Sequence, residues 1–236
     1  MPTARDVTWE GFYNARDLGG LSTSDGRRTR PGVVIRSATV ALVTADGWRA
    51  ARAAGVRTVL DLREPAERDP GPPPPGLARL QVPLDDQTDT DFWTRPRRAL
   101  AATPLYYRPF LAHKARRCAA VVTAIARAPA GGIIVHCASG RDRTGLVSLL
   151  LLALAGVEPE EIVADHLCSG DRLPPLYAAL GRPDEGPGVR RLLAAHGTDA
   201  ATELRRVLAG FDAAAYLAAA GVAAADLAAL RSRLRQ

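Results

Sequence analysis

The sequence predicts an α/β fold in a single domain over residues 1–236: a mainly parallel central sheet flanked by helices, followed by a helical C-terminal region. Three observations predict it. Of the 236 residues, 47% are hydrophobic, enough to bury a sizeable core without disulfides or structural metals. Short apolar segments that suit buried strands alternate with helical patterns before residue 158. From 158 to 236 the pattern is almost entirely helical, interrupted at glycines and prolines.

The first elements are predicted from β-branched runs and from proline. Residues 45–54 predict a helix that leads into a buried strand at 56–62, where apolar and β-branched side chains follow a glycine. Residues 71–76 read Gly-Pro-Pro-Pro-Pro-Gly and predict a surface loop, because proline lacks an N–H donor and has a fixed φ. A second short strand is predicted within 77–84.

The next elements enclose a short polar loop. Residues 111–128 predict a helix that ends at a proline and two glycines. Ile133 to Val135 predict a strand that is apolar on both faces and therefore central in a covered sheet. A loop over 136–144 and a helix over 145–155 follow, so the loop is expected at the carboxyl end of a central strand.

Composition excludes several classes of function. The net charge of +6 favours anionic partners, but aromatic residues are only 5% and like charges do not form long runs, so nucleic-acid binding is not expected. Residues 1–10 lack the apolar core of a secretory signal, and the most apolar stretch, 146–155, is half of the roughly 20 residues that cross a bilayer. We therefore expect a cytoplasmic protein without membrane insertion.

Cysteine and histidine spacing predicts no metal site. Three cysteines are an odd number at wide spacings, which argues against a disulfide framework or a cysteine zinc site. His113, His166 and His196 have no spacing typical of metal ligands. We expect no cofactor and no metal.

The residues between Cys137 and Arg143 carry the chemistry. The two are separated by five residues, between a buried strand and a helix start, and a loop this short can surround a tetrahedral phosphate with its N–H groups. Arg143 offers a planar fork for two phosphate oxygens, and Gly140 allows a turn or a close approach to the ligand. The predicted phosphate-binding residues are Ala138, Ser139, Gly140, Arg141, Asp142 and Arg143.

The same surroundings predict a reactive cysteine. Helix N-termini and nearby cations favour the thiolate of a cysteine, so Cys137 can attack phosphorus and form a phosphocysteine intermediate. His136 is expected to bond the loop backbone and hold the cysteine in place, and Thr144 to donate a hydroxyl hydrogen bond to the sulfur. Gly140 and Gly145 also match the opening of a nucleotide-binding P-loop, but Leu146 and Val147 stand where that loop needs lysine and serine or threonine.

This stretch resembles the His-Cys-x5-Arg-Ser/Thr signature of the protein tyrosine phosphatase superfamily. The closest resemblance is to the bacterial atypical tyrosine/serine phosphatases, the group that contains the mycobacterial triple-specificity enzyme. Further similar segments lie at 14–20 (Asn-Ala-Arg-Asp-Leu-Gly-Gly), at 34–37, at 55–63 and at the C-terminus. Arg141 stands where the group usually has lysine. The resemblance implies a metal-independent phosphoric monoester hydrolase, tyrosine-phosphatase-like and of broad specificity, that acts on a phosphorylated protein or a small phosphate ester.

The resemblance also suggests two candidates for the general acid that protonates the leaving oxygen. Asp142, inside the loop, is the first, as in the atypical group. Asp86, on a loop after a strand, is the second, since it is similar to the mobile-loop aspartate of lipid-type phosphatases. Residues 85–91 are about equally well explained as a solvated acidic loop, and Asp61 is better explained by an ion pair with Arg63 or Arg36.

Alternatives remain open at this point. The substrate is open between phosphotyrosine, phosphoserine, phosphoinositides and metabolite phosphates. A non-catalytic phosphate-binding module and a sulfur transferase with a cysteine loop are the other functions considered, and no oligomeric state is predicted. The helical region 158–236 is expected on the active-loop side, where it is a candidate lid.

Overall fold

The structure, a computed structural model, describes residues 4–68 and 76–236, so most of the predicted proline-rich loop lies outside the described residues. Within these ranges five strands form one sheet in the order β1-β2-β5-β3-β4. The strands are β1 (Arg16–Asp17), β2 (Val34–Ser37), β3 (Val56–Asp61), β4 (Ala78–Gln81) and β5 (Gly132–His136). Only β1 is antiparallel to its neighbour among these pairs, which confirms the predicted mainly parallel sheet.

Helices follow and cover the strands. They are α1 (Ala45–Ala53), α2 (Arg95–Leu100), α3 (Tyr107–His113), α4 (Ala115–Ala126), α5 (Arg143–Leu154), α6 (Pro159–Leu167), α7 (Ser169–Arg172), α8 (Pro174–Ala179), α9 (Gly186–Ala195), α10 (Ala200–Leu208), α11 (Ala213–Ala219) and α12 (Ala224–Leu234). Short 3₁₀ turns occupy Pro65–Glu67 and Pro104–Tyr106. None of the described helices has both the length and the apolar character that crossing a membrane would need.

Both faces of the sheet are buried. Because successive strand residues point to opposite faces, Ile133 and Val135 belong to one hydrophobic cluster and Ile134 to another. The first cluster includes Leu146 of α5, and the second includes Trp48 of α1. The central strand is therefore covered on both sides, as its continuous apolar sequence predicted.

Two predictions of local structure need correction. The helix predicted over 111–128 is divided between α3 and α4, because Lys114 leaves the helical region of backbone space (φ −112°, ψ 26°). Gly170, one of the glycines predicted to interrupt the helical pattern over 158–236, lies inside the short helix α7. The predicted strands at 56–62, 77–84 and 133–135 correspond to β3, β4 and β5.

The sheet brings three loops to one edge. Strands β3, β4 and β5 are parallel, so their carboxyl ends lie side by side. The chain after β5 carries Cys137, the chain after β3 carries Glu67, and the chain after β4 carries Asp85. Ligand sites of open α/β sheets lie at this edge.

Candidate active site

Cys137 lies at the base of the loop between β5 and α5. It is 2% exposed, and its Sγ accepts a hydrogen bond from the Gly140 N–H at 3.3 Å. A backbone N–H directed at the sulfur favours negative charge on it. The amino end of α5, beginning at Arg143, adds the positive end of a helix dipole.

Groups outside the loop hold its carbonyl oxygens. The bonds are Thr39 N–H to Ala138 O (2.8 Å), Asn14 Nδ2 to Ser139 O (3.0 Å), Arg36 Nη2 to Gly140 O (2.8 Å) and Tyr107 hydroxyl to Asp142 O (2.7 Å). In a trans peptide the N–H points away from the preceding carbonyl. Outward carbonyls therefore turn the following N–H groups toward the interior of the loop, where they can bind an oxyanion.

Arg36 connects this loop to a buried ion cluster. Its Nη1 lies 2.6 Å from Asp165 Oδ2, and Arg16 Nε lies 3.0 Å from the other oxygen of the same carboxylate. Arg5 adds a third guanidinium at 2.9 Å. Burial opposes ionisation, but the arginines outweigh it and hold the pKa of Asp165 far below its usual range. One buried carboxylate thus fixes the arginine that positions the loop.

Gly140 occupies a position that requires glycine. Its φ of +70° lies in the left-handed region, and a Cβ there would lie 2.4 Å from the Ser37 carbonyl oxygen. The sequence predicted either a turn or a close approach to the ligand. The structure shows a turn and a close approach to the end of β2.

The Arg143 fork is held by acidic residues. Its Nη1 and Nη2 donate to the two Glu67 carboxylate oxygens at 2.6 and 2.7 Å, and its Nε lies 3.5 Å from Asp85 Oδ2. Burial opposes the charge on Arg143, but Glu67 outweighs it and raises the pKa of this guanidinium above its ordinary value. Glu67 itself is half-buried, which opposes its charge, yet the bond to Arg143 keeps the pKa of its carboxyl below the ordinary value. The fork is therefore ionised and oriented.

Asp85 and Asp86 lie in opposite environments. Burial raises the pKa of Asp85 to about 6, assisted by Glu67 although Arg143 opposes the shift. Asp86 has a left-handed φ of 52°, and its carboxylate binds Lys114 at 3.3 Å and Arg117 at 3.0 Å. A hydrogen bond from Thr88 and the bond from Arg117 lower the pKa of Asp86. Asp85 thus faces the cavity above the loop, whereas Asp86, the second of the two candidates for the acid predicted from the sequence, does not line it.

The side chains of Asp142 and Arg141 bond each other. Arg141 Nε lies 3.1 Å from Asp142 Oδ1, and Arg141 Nη2 lies 3.5 Å from Glu185 Oε2. Both residues line the cavity. Burial opposes the charge on Arg141, but Asp142 outweighs it and raises the pKa of the guanidinium. The Asp142 carboxyl is therefore held by the Arg141 guanidinium.

His136 and Thr144 are both fully buried. His136 Nδ1 lies 3.3 Å from the Cys137 carbonyl oxygen, which is the contact with loop backbone expected from the sequence. Burial lowers the pKa of His136 to about 4, so the ring is neutral at pH 7 despite the nearby Asp61. Asp61 pairs with Arg63 at 3.1 Å, as expected. The Thr144 hydroxyl has no hydrogen-bond partner among the described residues, so the predicted bond to the sulfur is not present.

These side chains surround a cavity of about 460 Å³. Loop residues Ala138, Ser139, Arg141, Asp142 and Arg143 form one wall, with Glu67 and Asp85 beside them. Trp93, Arg98 and Tyr106 come from the segment after β4, and Tyr177, Leu180, Arg182 and Glu185 from the segment around α8. Among residues 4–68 and 76–236, no group of three histidine, cysteine, aspartate or glutamate side chains could hold a metal ion.

Residues 7–236 match the family described as the Tyrosine phosphatase family. The chain belongs to this family. A Cupriavidus necator protein that bears the name of a tyrosine-protein phosphatase is 33% identical over 175 residues, which cover 71% of this chain and 64% of that protein. Triple specificity protein phosphatase PtpB of Mycobacterium tuberculosis is 30% identical over 200 residues, covering 72% of this chain and 71% of PtpB. The match thus spans somewhat less than two thirds of the Cupriavidus necator protein.

A crystal structure of TpbA from P. aeruginosa is more distant, with 16% identity, a TM-score of 0.37 and coverage of 80% of this chain and 86% of that chain. Membership of the tyrosine phosphatase family confirms the resemblance inferred from the sequence.

Two residues of the site were not predicted from the sequence. Glu67 gave no signal beyond its position after a strand, and Asp85 was not distinguished from Asp86 in a run of acidic residues.

Proposed function

We propose that the protein is a cysteine-dependent phosphoric monoester hydrolase of the tyrosine phosphatase type. The observation that carries the proposal is the Gly140 N–H bonded to Cys137 Sγ within a loop whose carbonyls are held outward. Such a loop favours both a thiolate and a bound phosphate. The family match and the names of the two relatives support turnover rather than phosphate binding alone.

The reaction proceeds in two displacements. Cys137 Sγ attacks phosphorus, the bond between phosphorus and the ester oxygen breaks, and that oxygen leaves with a proton from a carboxylic acid. Water then attacks phosphorus and gives a proton to the carboxylate. The S–P bond breaks, inorganic phosphate is released and the thiolate returns. Arg143 and the inward N–H groups stabilise the charge on the equatorial oxygens in both steps.

Asp85 is proposed as the acid. Its pKa of about 6 leaves a usable protonated fraction near neutral pH, it lines the cavity, and its backbone is held by the bond from Trp93 Nε1 to Asp85 O at 2.9 Å. Asp142, the first candidate from the sequence, is paired with Arg141, and Asp86 is paired outside the cavity. Two neighbouring carboxyls with opposite pKa shifts are a common basis for assigning acid and base roles.

Glu67 is proposed to hold Arg143 ready before substrate arrives. A phosphate that binds the fork must share or replace the Glu67 contacts, so this residue affects phosphate affinity more than the bond-breaking steps.

Part of 158–236 is proposed to act as a lid. In support of this, the cavity is lined by four residues of that region: Tyr177, Leu180, Arg182 and Glu185. Three free cysteines fit the reducing cytoplasm, the compartment that we propose.

Hydrolysis of a small aryl phosphate in the presence of EDTA tests the proposal. Cys137→Ser is expected to abolish turnover, whereas Cys168→Ser, a half-buried cysteine outside the cavity, serves as the matched control. Full activity of Cys137→Ser would overturn the mechanism. The relatives' names support phosphoproteins as one substrate class, and a panel of phosphotyrosine and phosphoserine peptides, inositol phosphates and sugar phosphates ranks the substrates.

A further inference from the structure

A second cavity, of about 630 Å³, lies beside the candidate active site. It is enclosed by the segment after α2, the end of α6, helix α9 and the start of α10. Its walls are mainly apolar and include Pro104, Leu167, Val189, Leu193 and Ala201. The proposed phosphatase reaction uses none of these residues. A cavity of this size and character is typical of a site for an apolar group.

The two cavities share a wall. Arg141 and Ala102 line both of them, and Glu185 of the first cavity is followed directly by Gly186 of the second. At this boundary Arg141 Nη2 lies 3.5 Å from Glu185 Oε2; the Arg141 side chain is 9% exposed and also bonds Asp142, whereas the Glu185 side chain is 40% exposed and also bonds Tyr177 and Arg182. An ion pair this long, with one partner partly exposed, contributes little, so Glu185 can move away while Arg141 stays bonded to Asp142. A ligand bound at the loop can therefore extend past Arg141 into the second cavity.

A further observation points to an apolar occupant. Among the described residues the exposed large apolar side chains are Leu167, at 42%, and Leu180, at 37%, and each lines one of the two cavities.

We propose that the second cavity binds the apolar chain of a phosphate monoester whose phosphate lies on the Cys137 loop. This inference rests on the proposed function and narrows its substrate class to phosphates of long-chain alcohols. The loop fixes the phosphate, the shared wall at Arg141 directs the ester carbon outward, and the apolar walls remove the chain from water. Each methylene that enters such a cavity strengthens binding up to about fourfold.

The first experiment is a chain-length series of n-alkyl phosphates from ethyl to dodecyl, kept below their micelle concentrations, with released phosphate as the readout. The expected result is a kcat/KM that rises with each methylene and becomes constant once the cavity is filled. Turnover of a small aryl phosphate is measured in parallel. A kcat/KM independent of chain length, in protein that hydrolyses the aryl phosphate, would refute the cavity proposal and leave the proposed function intact.

Variants of the cavity wall give the second experiment. A Cβ added at Gly170 meets no atom within 4 Å, so Gly170→Phe can fill space without disturbing the fold, and Gly170→Ala is the matched control. Val189→Glu places a carboxylate in the half-buried wall as an independent test. Both Gly170→Phe and Val189→Glu are expected to reduce long-chain turnover to the short-chain level and to leave aryl phosphate turnover unchanged. Equal effects on both substrates would contradict the proposal.

Binding to Cys137→Ser separates this proposal from the proposed function. Decyl phosphate is expected to bind this variant more tightly than ethyl phosphate, with the difference lost in the Cys137→Ser, Gly170→Phe double variant, even if the wild-type protein hydrolyses nothing. Decanol, which has the chain but no phosphate, is the last ligand to be compared. If decanol binds as tightly as decyl phosphate, or activates hydrolysis of the aryl phosphate, the cavity holds a separate effector and the substrate-chain proposal is wrong.

Discussion

Replacing Asp85 by asparagine is expected to lower activity and to raise stability at the same time. Burial, with a contribution from Glu67, raises the pKa of Asp85 from 3.8 to about 6 although Arg143 opposes the shift. The folded protein therefore favours the protonated form. The difference between a pKa of 3.8 and one of about 6 corresponds to roughly 3 kcal/mol between the two protonation states of Asp85.

The sign of the pH dependence follows from this raised pKa. The contribution of Asp85 to stability is fully present below pH 4, where the residue is protonated in both states, and is lost as the pH rises through 6. Asparagine is neutral like the protonated aspartate, so the Asp85→Asn variant does not lose this stability as the pH rises. Relative to the wild type, Asp85→Asn should gain about 3 kcal/mol in the free energy of unfolding between pH 4 and pH 8. Urea denaturation across this range measures the difference, and a difference independent of pH would refute the reasoning.

The same variant tests the acid. With a poor alkyl leaving group, Asp85→Asn is expected to lose about 10²–10⁴-fold in kcat/KM and to lose the fall in activity that the wild type shows as pH rises past about 6. Asp86→Asn and Asp142→Asn are the matched variants. If Asp85→Asn kept the pH profile of the wild type and Asp142→Asn lost it, the acid would be Asp142 in the loop and not Asp85.

Other substitutions test the supports of the loop. Gly140→Ala should destabilise the protein by about 1–3 kcal/mol and reduce turnover of the aryl phosphate, because of the left-handed φ and the 2.4 Å approach to Ser37 O; normal unfolding in urea would contradict this. Arg36→Met should weaken inhibition by inorganic phosphate and cost about 3 kcal/mol in stability, since it removes one of three arginines from buried Asp165; an unchanged inhibition constant would show that Arg36 does not position the loop. Glu67→Gln should tighten phosphate inhibition because it removes a carboxylate 2.6 Å from Arg143, and weaker inhibition would show that orientation matters more than charge.

The elements that sequence reasoning identified are those with strong local signals. Strands β3 and β5 are apolar and β-branched, and the loop between Cys137 and Arg143 combines a cysteine, a glycine and an arginine at a spacing that few other functions need. Strand β1 has two residues and β2 has four, one of them the arginine of a buried ion cluster, so neither has a pattern that predicts a strand. Their place in the sheet depends on pairing with distant segments.

The acidic residues show where local sequence stops being informative. Asp85 and Asp86 are adjacent and chemically identical, and the choice between them depends on a left-handed φ at Asp86 and on two later residues, Lys114 between α3 and α4 and Arg117 in α4. Glu67 reaches Arg143 across 76 positions of the sequence. Contacts of this kind arise from the tertiary fold, and a single sequence contains no periodicity that would reveal them.

Covalent phosphate on Cys137 is the most direct test of the mechanism. Enzyme quenched in acid during turnover of an aryl phosphate, digested and analysed by mass spectrometry, should carry phosphate on the peptide that contains this cysteine, and Cys168→Ser should give the same result. Turnover with phosphate on another residue, or with no phosphorylated peptide when breakdown of the intermediate limits the rate, would contradict the central claim that the thiolate is the nucleophile.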